Sequence, residues 1–237
     1  MLKGLLGVRL NGDVPERLCD LGLRPALGPR RQRRLELFHG HRLLFIHVPK
    51  TAGMAVSQAV YGEQVHHASI RYYRTVAPEL AEACPTFAVV RDPIDRFRSA
   101  FAYAQGDGSC DNDVSEPFRP LYRAFRDVDD ALDHLETASW PYGVDHIFRP
   151  QSWYLTDRDG AIAVDHLVTM PNLAQALTAL APWAPPLLQV NRSTVEKPRL
   201  TSRQEWRLRY LYASDLPLAH LAHASTAAIF ARRRPGA

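Results

Sequence analysis

The sequence predicts an α/β fold: a single domain with a central, mostly parallel sheet flanked by helices. Three observations lead to this prediction. The short apolar runs are continuous and do not alternate with polar residues, as in strands that are buried on both faces. Segments with helical periodicity stand between these runs, an order typical of a parallel sheet. The chain of 237 residues is 46% hydrophobic, which is enough for a substantial core.

The first part of the chain is predicted to be a basic lead-in followed by a strand and a helix. Residues 1–35 are rich in glycine, proline and arginine and are predicted to be irregular, with the domain over residues 36–237. The apolar run Leu43–Val48 indicates a fully buried strand. A helix is predicted over Gly53–Tyr61, because the next residue is a glycine, which commonly ends a helix.

A second strand and helix are predicted over Thr86–Val90 and from Pro93 to about Gln105. Asp92 is a good N-cap, Pro93 suits the first helical turn, and Gly106 follows the helix. The other predicted elements are a helix over Pro78–Ala83, a polar loop over 107–119, one amphipathic helix through Leu121–Leu135, a strand over Ile162–Thr169, a helix over Leu173–Leu180, a capping-box helix from Thr201 to about Ala213, and a last helix over Leu216–Phe230.

Charge and hydropathy limit the classes of partner. The net charge of +4 favours anionic ligands. Basic clusters lie within residues 30–34 and at Arg232–Arg234, but no zinc-finger, RNP-type or helix-turn-helix pattern accompanies them, so no nucleic-acid partner is predicted. No apolar run approaches the roughly 18 residues that would span a bilayer, and Met1–Leu10 lacks the features of a signal peptide.

The cysteines indicate a reducing compartment. Cys19, Cys84 and Cys110 are odd in number and widely spaced, so they form neither a disulfide framework nor a zinc motif. A cytoplasmic location and the absence of a bound metal are therefore predicted. The oligomeric state stays open.

The junction after the first strand has the composition of an anion site. Pro49 interrupts the strand, and Lys50, Thr51, Ala52 and Gly53 lead into the helix. The free N–H groups and dipole of a helix N-terminus attract anions, and a lysine adds a mobile positive charge. The pattern is not a Walker A motif, which needs G-x-x-x-x-G-K-[ST], so a generic nucleoside-triphosphate site is disfavoured. A plain strand-to-helix turn with an exposed lysine is the alternative.

The junction after the second strand repeats this arrangement. Arg91 follows the strand directly, and Ser99 lies about two turns into the next helix. An arginine can bind a phosphate through two parallel N–H donors. Arg96 and Arg98 of the same helix are expected to face solvent if they have no role at the site. Two such junctions in one chain indicate a ligand with two separated anionic groups.

Taken together, these segments resemble the sulfotransferases that use 3′-phosphoadenosine-5′-phosphosulfate (PAPS), in particular the family of carbohydrate 2-O-sulfotransferases and their bacterial relatives. HVPKTAG at His47–Gly53 is similar to the family's 5′-phosphosulfate loop, and RDPIDRFRSAF at Arg91–Phe101 to its 3′-phosphate segment. HIFRPQSWYL at His146–Leu155 resembles a third family block. A weaker fourth similarity covers Asn191–Ser193 and the LYASD of Leu211–Asp215.

The resemblance implies a P-loop-like sulfotransferase fold with PAPS as the donor and no metal. It implies that the 5′-phosphosulfate is held by Lys50, Thr51, Ala52, Gly53 and Met54. It also implies that Arg91 and Ser99 hold the 3′-phosphate.

The first loop departs from the family pattern, which usually continues with Thr-Ser after the glycine. Here Met54 and Ala55 stand in those places, so two hydroxyl donors are missing and Ser57 is the nearest substitute. Each lost hydrogen bond to a charged group costs ~1.5–3 kcal/mol. The alternative function is therefore a sulfotransferase-like protein that binds PAP or a related nucleotide without catalysis. An ATP-dependent kinase lacks a recognisable metal-phosphate motif in this chain.

Sulfuryl transfer to a hydroxyl needs a base, and histidine is suited to that task near neutral pH. His66 and His67 lie between the two junctions. Related sequences place a base here that is followed by a small residue and then Ser or Thr. His67-Ala68-Ser69 fits that register, so His67 is the predicted base, with His66 and Glu63 as alternatives. Lys50 is predicted to stabilise the leaving phosphate.

The third block is predicted to line the acceptor or cofactor cleft through His146, Arg149 and Gln151, which are assigned to the acceptor. The resemblance implies that this acceptor is a hydroxylated carbohydrate or glycolipid, which can itself be anionic. The alternative for this block is a structural turn at Pro150. The aromatic residues Trp140, Tyr142, Trp153 and Tyr154 either stack on sugar rings or belong to the core.

Overall fold

The computed structural model of the chain is an α/β structure with a small parallel sheet and many helices. It describes residues 2–109, 112–138, 140–187 and 195–231. Three features of the sequence fall outside this part of the chain: Cys110, the basic tail at Arg232–Arg234, and the Asn191–Ser193 part of the fourth block.

The sheet has three strands, β1 (Leu44–Ile46), β2 (Thr86–Val90) and β3 (His166–Thr169), in the order β1-β2-β3. The helices are α1 (Leu2–Leu5), α2 (Asp13–Asp20), α3 (Pro29–His41), α4 (Gly53–Tyr61), α5 (Ile70–Val76), α6 (Pro78–Ala83), α7 (Pro93–Gln105), α8 (Arg119–Ala124), α9 (Val128–Thr137), α10 (Gln151–Leu155), α11 (Leu173–Leu180), α12 (Ser202–Leu211) and α13 (Leu218–Ala231).

Both strand pairs are parallel, which confirms the predicted kind of sheet. Ile46 of β1 lies opposite Ala88 of β2, and Val90 of β2 lies opposite Thr169 of β3. All residues of β1 and β2 are buried, as their continuous apolar sequence predicts. β3 is shorter than predicted, since Ile162 pairs only with Thr156 in an isolated bridge.

Several predicted helices are confirmed, together with the residues that cap them. α4, α6 and α11 have the predicted bounds. The side chain of Asp92 accepts a hydrogen bond from the Asp95 N–H at the start of α7. Thr201 and Gln204 form the predicted capping box of α12.

Two predictions about helices are wrong. Residues 1–35 are not irregular, because they contain α1, α2 and the start of α3. The single helix predicted through Leu121–Leu135 is divided into α8 and α9. The chain leaves the helical conformation at Phe125, and Asp127 then starts a new helix, since its carboxylate caps the N–H groups of Asp129 and Asp130.

The described residues form two compact units, and the boundary between these units does not lie at residue 35. The sheet unit comprises residues 15–91, 151–187 and 217–231, and contains all three strands. The helical unit comprises residues 2–14, 92–150 and 195–216.

Each unit has its own hydrophobic core. In the sheet unit the rings of Phe45 and Phe87 stack with centroids 4.7 Å apart at the centre of the sheet. In the helical unit Phe97 packs against Phe148, with centroids 5.7 Å apart. Burial of each such side chain contributes ~1.5–3 kcal/mol to folding. The chemistry-bearing turns of the sheet unit are therefore anchored on a rigid, fully buried pair of strands.

Candidate functional site

The turn after β1 has an unusual backbone. Lys50 and Ala52 both have left-handed conformations, with φ angles of 67° and 62°. Such angles are rare for residues other than glycine and cost free energy, so they occur where the surrounding structure imposes them. Alternation of left-handed and other residues turns successive N–H groups toward one side and forms a concave site for an anion.

The side-chain hydroxyls near this turn donate to main-chain carbonyls and not toward a bound anion. The hydroxyl of Thr51 is fully buried and donates to the carbonyl of Val48 at 2.9 Å. Ser57, the expected substitute for the missing hydroxyls, is also fully buried and donates to the carbonyl of Gly53 at 2.7 Å. Ala52 precedes α4 without a side-chain cap. Anion binding at this turn therefore depends on main-chain N–H groups and on Lys50.

Gly53 is required for a reason that the sequence did not reveal. A β-carbon at this position would lie 1.9 Å from Cδ2 and 2.0 Å from Nε2 of His47. The structure shows that the space beside Gly53 is filled by the His47 ring, while Met54 and Ala55 that follow are half-buried.

His67 lies beside the same turn, and its ring orientation is fixed. Its Nδ1 lies 3.0 Å from the carbonyl oxygen of His47, and the two imidazole centroids are 4.0 Å apart. Since a carbonyl oxygen only accepts, Nδ1 of His67 carries the hydrogen, and Nε2 of the neutral ring has the lone pair. His67 is half-buried. This is the tautomer that a general base needs when Nε2 is its reacting atom.

The two alternative bases have less suitable surroundings. His66 is exposed, one residue before His67. Glu63 forms an ion pair with Arg33 of α3, at 2.9 Å between its Oε1 and Nη2 of the arginine. That pair lies at the surface and engages the carboxylate that would have to accept a proton.

Arg91 follows β2 directly, and its main chain is held from both sides by one amide. The side chain of Gln151 accepts from the Arg91 N–H at 3.0 Å and donates to the Arg91 carbonyl at 2.8 Å. Gln151 is fully buried at the start of α10. We therefore assign Gln151 the role of fixing Arg91, in place of the predicted contact with an acceptor.

Arg149 of the helical unit also has an internal partner. Its guanidinium is 1% exposed and forms a two-pronged ion pair with Asp13, with N–O distances of 2.8 and 2.5 Å. Its Nε donates to the carbonyl of Pro141 at 2.8 Å. The predicted contact between Arg149 and an acceptor is replaced by a structural role, because the charge is already neutralised inside the protein.

Of the three predicted contact residues in the third block, His146 keeps partial exposure, with 27% of its side chain accessible. Its Nδ1 pairs with Oδ1 of the buried Asp145, whose Oδ2 accepts from the Tyr122 hydroxyl at 2.6 Å. Burial alone would raise the pKa of Asp145. The charge of His146 and the hydrogen bonds from His146 and Tyr122 outweigh that effect and lower the pKa below its ordinary value.

The basic side chains of α7 do not all face solvent, contrary to expectation. Arg96 is fully buried and donates to the carbonyls of Ile147 and Arg149 at 3.0 and 2.6 Å. Arg98 donates to the carbonyl of Pro198 at 2.8 Å. Ser99 is half-buried on the same helix in the helical unit, and its predicted contact with a 3′-phosphate stays a prediction.

The aromatic residues near the third block belong mainly to the cores. Tyr142 and Tyr154 are each 1% exposed, which excludes a sugar ring from their faces. Trp140 and Trp153 are half-buried. The fourth block contributes Tyr212, which is buried and donates to the carbonyl of Phe148 at 2.7 Å.

The sheet unit thus brings the Lys50 turn, His67 and Arg91 to the carboxyl ends of two adjacent parallel strands, the usual location of ligand sites in open α/β sheets. Sequence reasoning missed two buried acids, Asp13 and Glu16, which lie in the segment predicted to be irregular. Their partners are distant in sequence, so no local pattern indicates them.

In the described part of the chain, no three His, Cys, Asp or Glu side chains are grouped so that they could hold a metal ion. Likewise, none of the helices described there is both long and apolar enough to cross a membrane. The chain matched no protein-family model, no curated protein and no solved structure.

Proposed function

We propose that this protein is a PAPS-dependent O-sulfotransferase that transfers a sulfuryl group to a hydroxyl of a carbohydrate or a similar acceptor. The observation that carries the proposal is the parallel pairing of β1 with β2, since each strand ends in a turn that bears a cation, Lys50 or Arg91. Both turns lie at one edge of the sheet, as a ligand with two anionic groups requires.

Main-chain geometry supports binding of the donor's 5′-phosphosulfate at the first turn. The left-handed Lys50 and Ala52 and the start of α4 supply N–H groups, and Lys50 supplies the charge. Within this proposal the sheet unit is a P-loop-like sulfotransferase fold, and Arg91 binds the 3′-phosphate. The fixed main chain of Arg91 supports that role, because Gln151 fixes the point from which the side chain extends.

The proposed chemistry divides between two side chains. The donor supplies an activated sulfuryl group on a phosphate oxygen. Nε2 of His67 accepts the proton of the acceptor hydroxyl as that oxygen forms its bond to sulfur. The bond from sulfur to the bridging phosphate oxygen breaks, and the ammonium of Lys50 stabilises the negative charge left on PAP. The products are a sulfate ester and PAP, and His67 then releases its proton to solvent.

Turnover measured with radiolabelled PAPS and a panel of hydroxylated glycans tests this proposal. We expect Lys50→Ala to lower turnover by about 100- to 1,000-fold, the usual effect of losing one group that stabilises developing charge. His67→Ala is expected to lower it by about 100- to 10,000-fold, whereas His66→Ala leaves it nearly unchanged. Unchanged turnover in Lys50→Ala, or loss in His66→Ala alone, contradicts these assignments.

Cofactor binding is tested separately by calorimetric titration with PAP and with ATP. Arg91→Ala is expected to weaken PAP binding by about 10- to 150-fold, which corresponds to ~1.5–3 kcal/mol for a hydrogen bond to a charged group. Arg30→Ala, an exposed arginine of α3, is the control for a general effect of charge. Equal weakening by both substitutions would mean that Arg91 contributes charge alone.

A second function, nucleotide binding without catalysis, is favoured by one observation. The hydroxyls of Thr51 and Ser57 both donate to main-chain carbonyls, and Met54 and Ala55 have none. The first turn therefore lacks side-chain hydroxyls aimed at a phosphate. Tight binding of PAP together with no sulfate transfer to any acceptor of the panel identifies this function.

The acceptor and the location are also proposals. The positive net charge of the chain supports an acceptor with anionic groups, such as an acidic glycan or glycolipid. Cys19 and Cys84 are buried free thiols, which supports a reducing cytoplasm.

A further inference from the structure

The segment from Val65 to Ser69, which carries His67, is held at both ends by side chains from outside it. At one end the His47 ring bonds through Nδ1 to the carbonyl oxygen of Val65 at 2.5 Å. At the other end Glu16 accepts two hydrogen bonds from Ser69, at 2.8 Å from its N–H and 2.6 Å from its hydroxyl. His67 itself bonds to the main chain of His47 between these two fixed points.

The bonds from Ser69 to Glu16 exceed what helix capping needs. Ser69 is already the N-cap of α5, because its Oγ accepts from the N–H of Tyr72 at 3.1 Å. Glu16 adds nothing to that acceptor bond. Its two oxygens instead fix the main-chain N–H and the hydroxyl direction of the residue that stands two positions after His67.

Burial of the Glu16 carboxylate is energetically unfavourable. It is 5% exposed. Burial raises its pKa, while the two bonds from Ser69 and the charge of Arg71 on α5 oppose the rise. Asp20 on its own helix adds to the rise and is paired with Arg71 at 3.0 Å, and the Cys19 thiol lies on the same helix. Groups whose pKa is shifted by burial and by specific partners are concentrated at functional sites.

We propose that Glu16 is a positioning residue for His67. By accepting both donors of Ser69, it fixes the main chain after His67 and keeps the Nδ1–H of His67 directed at the carbonyl of His47. The lone pair of Nε2 then points away from that contact, in the tautomer that accepts a proton. This inference rests on the proposed function for its catalytic meaning, but the tautomer is a property of the free protein.

The direct test is NMR of the imidazole nitrogens in the full-length protein without ligand. At a pH where the ring is neutral, wild-type His67 is expected to have its hydrogen on Nδ1. In Glu16→Gln the amide oxygen can still accept from the Ser69 N–H, but the NH₂ group cannot accept from the Ser69 hydroxyl, so residue 16 no longer fixes the direction of that hydroxyl. We expect the His67 signals to shift toward exchange between the two tautomers.

Asp20→Asn is the matched control, since Asp20 lies on the same helix and pairs with Arg71 of α5, whereas both donors of Ser69 bond to Glu16. It is expected to leave the His67 tautomer unchanged. Ser69→Ala removes the hydroxyl while keeping the N–H, and it is expected to give an intermediate shift. A cooperative thermal transition of each variant confirms that it is folded, and Ser69→Ala carries the test if a Glu16 variant does not fold.

Turnover adds a readout that distinguishes this inference from the proposed function. Glu16→Gln is expected to lower kcat by about 10- to 100-fold with little change in the Kd for PAP. If the wild type shows no sulfate transfer but the tautomer shifts as expected, the proposed function fails and the positioning role stands. If His67 has the same tautomer and titration in the wild type, Glu16→Gln and Ser69→Ala, the positioning role is overturned whatever the turnover.

Discussion

The buried carboxylate of Asp145 shows how a single charge in this protein depends on its neighbours. Its pKa is lowered although burial acts in the opposite direction, because His146 and Tyr122 both stabilise the ionised form. A carboxylate with a lowered pKa stabilises the folded state above its ordinary pKa of about 3.9. That contribution is lost as the pH falls through the folded-state pKa.

We therefore predict that Asp145→Asn lowers the free energy of unfolding by about 1–3 kcal/mol near pH 6, since the bond to a charged partner is lost. The difference from the wild type should shrink as the pH falls below about 4, where the wild-type carboxylate also becomes neutral. Urea unfolding at a series of pH values measures the loss of unfolding free energy near pH 6 and its decrease at lower pH. Asp159→Asn, at an exposed position, is the control and should stay within about 0.5 kcal/mol of the wild type.

Residue types in the two turns were predictable, but their individual contacts were not. The sequence indicated Lys50 and Arg91 because each follows an apolar run that ends abruptly. Nothing in the sequence indicated that the Thr51 hydroxyl and the Arg149 guanidinium would form hydrogen bonds inside the protein. Those partners are chosen by packing, which brings together side chains from distant parts of the chain.

At the level of secondary structure, the link between β2 and α10 depends on one amide. Gln151 is the first residue of α10 and binds both polar groups of the Arg91 main chain. Its carbonyl oxygen and its NH₂ group are both needed, because one bond requires an acceptor and the other a donor. A carboxylate of the same shape can provide only the acceptor.

Gln151→Glu is therefore predicted to destabilise the protein by about 1–3 kcal/mol, as a buried acceptor is left facing a carboxylate. Gln58→Glu is the matched control, because the Gln58 amide also donates to a carbonyl, that of Gly62, but is exposed. Its effect should stay within about 0.5 kcal/mol. Thermal and urea unfolding compare the two, and equal losses would refute the role of Gln151.

Helices and strands with a clear apolar pattern and clear end residues were predicted well. A break between two helices that share one apolar pattern was not. α4 and β2 have buried or periodic sequences with clear ends, and both match their predicted bounds. The apolar spacing from Leu121 to Leu135 continues across the break at Asp127. Apolar periodicity indicates which face of a helix is buried. It is the same for one long helix and for two consecutive helices that bury the same face, so it does not reveal the N-cap between them.

For the molecule as a whole, the pair of Asp13 and Arg149 ties the start of the chain into the helical unit across 136 positions of sequence. Both side chains are nearly inaccessible, at 4% and 1% exposure. Breaking a buried ion pair leaves one charge without a partner, which usually costs ~3–5 kcal/mol. Replacing both members with apolar residues avoids that cost.

We predict that Asp13→Leu and Arg149→Met each destabilise the protein by about 3–5 kcal/mol, while the double variant lies much closer to the wild type. A double-mutant cycle from urea unfolding gives the coupling free energy. Additive losses in the double variant would show that the two residues act independently. Arg30→Ala provides an exposed arginine as control.

The sheet was predictable from sequence because each strand is a local pattern, whereas the division into two units was not. Each unit is assembled from three separate stretches of chain. Contacts such as those from Asp13 to Arg149 and from Glu16 to Ser69 join residues that are 136 and 53 positions apart. No property of the segment around Asp13 or Glu16 alone distinguishes these acids from solvent-facing ones.

The His47 ring that fills the space beside Gly53 also constrains how this protein can evolve. Any side chain at position 53 collides with the imidazole, so mutation must first make residue 47 smaller. That first change removes the ring that bonds to Val65 and the ring contact with His67. Homologues that keep an imidazole at position 47 should therefore keep glycine at position 53, and a larger residue at position 53 should occur only where residue 47 is smaller than histidine.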